Sequence, residues 1–239
     1  MKISTSFNYK RSTYSIIMIA VAAGSLLFNS CKKDDTTAAV ISGLSIINAS
    51  PTPSTYNVYL NTDTKVNTAA LPFGGTRSYV NIPTGSNTLK FTSASSIESI
   101  LTKTIVSTEN VAYSYYLIGN TAANLDGLLI TDDLSVPSGE KAYVRFINVS
   151  PDAPALDLAV TAATANTISD KSYKAASAFV QLDPKTYSFD IKDKATGVVK
   201  TTLTGIVLAA GGHYTIIAKG MNNPTGLEIG FGGQVITNQ

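Results

Sequence analysis

The chain is short of the side chains that carry most protein chemistry. Among 239 residues there is one cysteine, one histidine and no tryptophan. A lone cysteine cannot form a disulfide within the chain, so the fold must be held by its core. A lone histidine, His213, leaves zinc sets and nucleophile–histidine pairs without visible partners. The lack of tryptophan weakens any broad aromatic platform for polysaccharides. Charged residues make up only 14 % of the chain, 18 basic against 16 acidic, and they form no basic stripe. Nucleic acid is therefore excluded as a partner. There is no glycine-rich phosphate loop followed by a helix, and no run of helical period. The expectation is a protein that is not an enzyme and holds neither cofactor nor metal.

The only long apolar run lies near the start. Lys2, Lys10 and Arg11 precede Ser15–Phe28, an apolar stretch of fourteen residues. That falls short of the roughly 20 residues a spanning helix needs, and fits a secretory signal peptide over residues 1–30. Removing its three basic residues leaves 15 basic against 16 acidic, a net charge of −1 for the rest. Cys31 follows directly, after the small Ser30. This arrangement resembles a bacterial lipobox of the looser kind found in Bacteroidetes, and implies lipidation at Cys31. Lys33, Asp34 and Asp35 come next and resemble the export signal that carries lipoproteins of that group to the outer face of the outer membrane. Asp35-Thr36-Thr37 also resembles a short O-glycosylation signal. Residues 31–42 read as the lipidated cysteine and a flexible tether. Several acyl chains, each buried methylene contributing about 0.8 kcal/mol, would hold such a protein on a membrane.

What the sequence has is a motif used twice. Residues 44–60, LSIINASPTPSTYNVYL, return as residues 144–160, VRFINVSPDAPALDLAV. Ile47, Asn48, Ser50 and Pro51 recur as Ile147, Asn148, Ser150 and Pro151, and the apolar slots recur with them. Further on, Tyr79-Val80-Asn81-Ile82 aligns with Phe179-Val180-Gln181-Leu182, and Leu89 and Phe91 with Phe189 and Ile191. Allowing one deletion, Tyr115 and Leu117 match Tyr214 and Ile216. The copies span 43–136 and 141–239, with Val136-Pro137-Ser138-Gly139-Glu140 between them.

The composition, rich in Thr, Ser, Val, Ile and Tyr, favours strands. Alternation places them at 43–49, 55–61, 77–82, 87–93, 99–106, 112–119 and 126–132 in the first copy. The second copy has them at 142–149, 155–161, 175–182, 186–192, 198–206, 213–219 and 226–231. Turn chemistry at Ser50-Pro51-Thr52-Pro53, Gly74-Gly75 and Pro83-Thr84-Gly85 separates the early ones. The fold class expected is all-β: two tandem seven-stranded Ig-like β-sandwich domains after a signal peptide and flexible tether. Each sheet is expected to bury one face and wet the other.

Arg145-Phe146-Ile147-Asn148-Val149-Ser150-Pro151-Asp152-Ala153-Pro154-Ala155-Leu156-Asp157 closely resembles the opening motif of the domain-of-unknown-function 4397 family. Leu208-Ala209-Ala210-Gly211-Gly212-His213-Tyr214-Thr215 resembles a later stretch of the same family. The first copy departs from that pattern at Thr52, Pro53 and Thr55. The resemblance implies a secreted or envelope-attached β domain and brings no catalytic residues with it.

Asn48, Ser50, Asn148, Ser150 and Asp152 are the candidate loop contacts at one sandwich end. The same Asn, Ser and Pro also suit strand termination, since their side chains bond nearby backbone and proline blocks the ladder. Tyr113, Tyr115 and Tyr116 form the densest aromatic patch. Core or corner roles are favoured for this patch: Tyr115 suits a tyrosine corner, and Tyr116 points to the opposite face, where exposure is the alternative. Asp190–Gly197 has the wrong spacing for a calcium loop and reads as a hairpin turn. Asp132 and Asp133 adjoin on a strand and face opposite ways. The leading expectation is a lipid-anchored cell-envelope protein at the cell surface, acting as a binding or adhesion module for a glycan or protein. The alternatives are a periplasm-facing assembly partner and a polysaccharide-binding accessory protein. Exposure of Tyr116 or Tyr59 on a flat face would favour the last.

Overall fold

The structure, a computed structural model, describes residues 41–61 and 64–238. The first copy contains β1 (Ile41–Asn48), β2 (Tyr56–Leu60), β3 (Thr64–Lys65), β4 (Thr76–Pro83), β5 (Gly85–Ser93), β6 (Ser99–Ser107), β7 (Ala112–Ile118) and β8 (Asp126–Asp132). They form two four-stranded sheets, ordered β4-β1-β7-β8 and β3-β2-β5-β6. The second copy contains β9 (Ala142–Asn148), β10 (Leu156–Val160), β11 (Ile168–Lys171), β12 (Val180–Leu182), β13 (Thr186–Asp193), β14 (Val199–Val207), β15 (His213–Lys219) and β16 (Gly232–Asn238). Its sheets, β12-β9-β15-β16 and β11-β10-β13-β14, repeat the same order. The fold is all-β, a pair of Ig-like sandwiches built alike.

Three details differ from the sequence reading. Each copy has an eighth strand, β3 or β11, of two and four residues, too short to show alternation. The strand expected at 175–182 is paired only over Val180–Leu182, with a single bridge at Ala176 before it. The final strand lies at Gly232–Asn238 and not at 226–231. Its two opening glycines read as a turn, while Leu227, which suggested a strand, stands 81 % exposed on the preceding loop. A β-carbon at Gly233 would sit 3.0 Å from Ile191 and Leu203, so that strand keeps its glycine to pack.

In both copies the first strand pairs in parallel with the seventh, Leu44 opposite Tyr113 and Val144 opposite Tyr214. Tyr214 is therefore the counterpart of Tyr113, not of Tyr115. The copies differ here by an insertion, and a two-residue slip leaves the apolar alternation unchanged, which hid it from the pattern. Tyr113 and Tyr214 play the same part: each hydroxyl accepts a backbone N–H five residues earlier, Thr108 at 3.1 Å and Ala209 at 2.9 Å.

Each sandwich has its own core. Leu44, Ile46, Val58, Leu89, Phe91 and Tyr115 pack in the first, and Val144, Phe146, Leu158, Phe189, Ile191 and Ile216 in the second. A third core joins them: Ile47, Ala49, Tyr116 and Ile118 of the first copy pack on Ile147, Val149, Ile217 and Ile236 of the second. The four sheets thus stack as layers, with the two sheets that contain parallel pairs innermost. The expectation of one wet face per sheet fails for these two. β1 from Leu44 onward and all of β9 are buried, as strands covered on both faces must be.

The copies point the same way. Ile229 N donates to Pro51 O at 3.0 Å, and Asn120 Nδ2 donates to Glu228. The loops that follow β1, β7 and β15 therefore gather at one end. Asp126 ties the copies along one side, with Lys103 at 2.8 Å and Lys174 at 3.0 Å. Partial burial alone would raise its carboxyl, but hydrogen bonds from both lysines and from Gly127 N hold it well below the usual carboxylate range. A depressed carboxylate contributes stability that is complete above the unfolded value near pH ~4 and decays as pH falls toward the folded value. Asp126→Asn is expected to flatten the acid limb of the stability curve below about pH 4. Because the side chain is 35 % exposed, it should cost under ~1 kcal/mol at pH 7. Urea melts at pH 7 and pH 3 check this, and an unchanged acid limb would place the effect elsewhere.

Candidate binding site at the seam between the sandwiches

The recurring Asn and Ser side chains are buried and hydrogen-bonded to the chain's own backbone. Asn148 Nδ2 donates to Pro154 O and Lys171 O at 3.2 and 3.1 Å, and its Oδ1 accepts from Ser150 N at 3.1 Å. Ser150 Oγ reaches Gly220 O at 2.5 Å. In the first copy Asn48 bonds Leu71 O and Ser50 N, and Ser50 Oγ reaches Gly119 O at 2.6 Å. The motif thus stitches the end of the first strand to the loop after the seventh. Asp152 is half-buried and accepts from Asn222 N and Asn223 N at 2.6 and 2.8 Å, bracing the β15–β16 loop. Asn148→Ala orphans the buried Ser150 N and takes the donor from the part-buried Pro154 O and Lys171 O, and is expected to cost about 1–3 kcal/mol in urea unfolding. A loss below ~0.5 kcal/mol would mean that water replaces the amide there.

On the seam, five side chains close a ring of hydrogen bonds, and Ser114 joins it at Asp132. Asp132 Oδ2 accepts from Tyr79 Oη and, at 2.7 Å, from Ser114 Oγ, while its Oδ1 pairs with Arg145 Nη2. Arg145 Nε donates to Thr215 Oγ1 at 2.8 Å, and Thr215 Oγ1 donates to Asn238 Oδ1 at 2.6 Å. Asn238 Nδ2 returns to Tyr79 Oη at 3.0 Å. The Arg145 and Asp132 side chains are 2 % and 0 % exposed. Burial, helped by the Asp132 charge, pushes the Tyr79 phenol well above its ordinary range. Tyr116 lies beside this ring, fully buried, its hydroxyl facing Ser114 and Thr215 without a hydrogen bond. Burial pushes that phenol up to about 12. Tyr116 thus takes the core role favoured from the sequence, and its alternative, exposure, fails. The outer face of its strand is the inner face of a seam.

Beside the ring opens a cavity of about 230 Å³. Thr131 of β8 with Asp133, Ser135 and Pro137 of the connecting segment forms one wall, and Tyr143, Phe179, Gln181 and His213 of the second copy form the other. Tyr143 stacks on His213 with centroids 4.6 Å apart, and Phe179 meets the same imidazole edge-on at 5.0 Å. The Arg145 guanidinium lies 4.7 Å from the Phe179 centroid. His213 Nε2 is held by Ser135 O at 3.0 Å, which fixes the ring as part of the wall. Asp133 Oδ1 accepts from Ser135 N at 3.1 Å. Hydrogen bonding from Ser135, with the nearby imidazole, keeps the Asp133 carboxyl below its ordinary value. Among the described residues the Gln181 amide makes no hydrogen bond. Phe179 occupies the place that Tyr79 holds in the first copy. Lacking the hydroxyl that draws Tyr79 into the ring, it lines the cavity instead.

The sequence marks Asp132 and His213 as titratable candidates, but it shows Arg145, Phe179 and Gln181 only as parts of the repeat and the family motif. One signal was available. Arg145 stands in a strand that is otherwise apolar, where the first copy has Ser45, and a charge at such a slot has to be paired. Asp132 and Asp133 do face opposite ways, one buried in the seam and one exposed. The Asp190–Gly197 stretch is a hairpin turn, with Asp193 Oδ1 accepting Ala195 N and Thr196 N. Tyr59 is half-buried on the outer sheet, beside a shallow groove with Asn57, Ser96 and Glu98. No group of three or more acids, histidines or cysteines suited to a metal occurs among the described residues. Cys31, Lys33, Asp34 and Asp35 lie outside the described residues.

Comparison with known families places residues 42–159 in register with the profile described as Domain of unknown function (DUF4397). The match covers the first copy, including its departures at Thr52, Pro53 and Thr55, and runs through the opening motif of the second. No curated protein matches the chain. Among solved structures, the chain is similar to a family 26 carbohydrate-binding module from Eubacterium rectale in complex with maltoheptaose. The identity is 9 %, over 82 % of this chain and 97 % of that one, with a TM-score of 0.27. A streptococcal virulence factor described as binding alpha-glucan matches at 9 % identity over 82 % and 97 %, with a TM-score of 0.24. The Bacillus anthracis TIE protein matches at 12 % over 74 % of this chain and 33 % of its own, with a TM-score of 0.24. Likeness at these scores leaves those ligands as properties of those proteins.

Proposed function

We propose that the chain is a lipid-anchored protein of the outer membrane, displayed at the cell surface, whose double sandwich is a non-catalytic binding module. In this reading residues 1–30 are removed, Cys31 carries the anchor, and 32–42 form the tether. Residues 43–136 and 141–239 are the two copies. Lys33, Asp34 and Asp35 direct export in a Bacteroidetes envelope. The observation that carries the binding reading is the seam cavity, a concave site of ring faces with a few polar groups at its rim, which is how small-ligand sites are built.

The test uses an epitope inserted between Asn223 and Pro224, on the loop end of the protein. Protease is applied to intact cells that express the wild type, Cys31→Ala or Asp34→Ala/Asp35→Ala. Wild type is expected to lose the epitope, the Asp variant to keep it, and the Cys variant to leave the membrane fraction. If every form is protected until cells are lysed, the protein faces the periplasm and the assembly-partner reading replaces this one.

A further inference from the structure

We infer that the seam cavity receives a single neutral sugar ring, the terminal residue of a glycan, inserted end-on with a C–H face against the side of Phe179 that Arg145 does not cover. This rests on the binding reading above and adds the ligand class and its mode of entry. Size comes first. About 230 Å³ is below the ~300–1,000 Å³ of sites that enclose drug-sized ligands, so it suits one ring.

Charge decides the next step. Arg145 is already paired with Asp132, which leaves the Asp133 carboxylate as the uncompensated charge at the rim. That opposes an anionic ligand. A cationic one meets the Arg145 guanidinium already placed on Phe179. A neutral ligand avoids both penalties.

Ring chemistry decides the last. The face of an aromatic ring is its negative side, and the C–H face of a pyranose is weakly positive. Hydroxyls around that pyranose can donate to Asp133 and Ser135 O, and both donate to and accept from the Gln181 amide. The entry mode follows from the walls. Thr131 of β8 with Ser135 and Pro137 lines one side, and β9, β12 and β15 line the other; about 230 Å³ between them holds one ring, so a glycan enters by its end.

The experiment is an amide NMR titration of the otherwise complete, ¹⁵N-labelled Cys31→Ala chain. The probes are the methyl glycosides of glucose, galactose, mannose and N-acetylglucosamine, with benzoate and benzylammonium as charged rings of similar size. A cyclic oligosaccharide of whichever sugar binds serves as the probe without an end. At least one glycoside is expected to shift Ser135, Phe179, Gln181 and His213. Phe179→Leu is expected to weaken that glycoside by about 3- to 10-fold, the loss that one aromatic contact makes. Gln181→Ala should weaken it by about 3-fold or more, the loss of one hydrogen bond. The cyclic probe should leave all four signals in place.

Shifts with a charged ring but with no glycoside overturn the sugar assignment and keep the binding reading. No shift with any probe overturns both. Glycoside shifts confined to the Tyr59 groove overturn the location, and binding of the cyclic probe as tight as that of the methyl glycoside overturns end-on entry.

Discussion

Arg145→Ala is expected to lower stability by about 3–5 kcal/mol, the largest loss of any single substitution on the seam. The substitution leaves the Asp132 carboxylate buried with only Tyr79 and Ser114 to hold it. It also strips Thr215 Oγ1 of its donor. An ion pair with side chains 2 % and 0 % exposed keeps little screening from water. Breaking such a pair is much worse than replacing it. Arg145→Met with Asp132→Leu should therefore recover most of the loss, because the uncompensated charge is gone. Chemical denaturation of the wild type, the single and the double variant, at equal ionic strength, checks the order. A single variant that loses less than ~1 kcal/mol would show that water reaches the carboxylate. Because the ring spans both copies, the single variant should also split a joint transition, with the two sandwiches melting apart.

The second large effect is expected at Gly127→Ala. A β-carbon there would fall 1.8 Å from Tyr115 Oη and 2.1 Å from its Cζ, so the ring lies across the glycine. Tyr115 cannot move aside easily. It is buried, and it stacks on Phe91 with centroids 5.6 Å apart. Forcing a methyl into such a contact should cost about 2–3 kcal/mol, in the upper range for overpacking. Tyr115→Leu in the same chain removes the clashing atoms and should restore part of that loss. Tyr115→Phe alone tests the other half of the argument. The Tyr115 hydroxyl is buried without a hydrogen bond, and removing an unsatisfied hydroxyl should be neutral or stabilise by about 1 kcal/mol. Thermal melts of the four chains decide between strain at the ring and a merely poor strand residue at position 127.

Much of this architecture could be read from the chain. The doubled Ile-Asn-x-Ser-Pro motif, the strands around it and the equivalence of Tyr79 with Phe179 all follow from spacing and alternation. The register of the seventh strands did not, because a slip of two positions preserves the pattern. Nor did the seam. A strand such as Ala112–Ile118 shows two faces, one aromatic and aliphatic, the other Ser114, Tyr116 and Ile118. Nothing local says whether the second face meets water or another sheet. The cavity was the least legible part. It exists only because the segment after β8 crosses the edge of the second copy, and Gln181 and Asp133 look like any exposed polar residues until that packing is known. Arg145 was the one foothold: a charge inside an apolar strand asks for a partner, here found thirteen positions back in the other copy.

The parallel pairing of β1 with β7 bears on how the protein would respond to force. A pull entering through Ile41 runs along β1, and the rungs from Gly43–Ala112 to Asn48–Leu117 lie across that direction. Such rungs are sheared together and share the tension, where a hairpin pulled at its open end would unzip rung by rung. In the anchoring proposed above, a pull on the protein would load the chain in this way. β1, the first described strand, is then the one best placed to resist it.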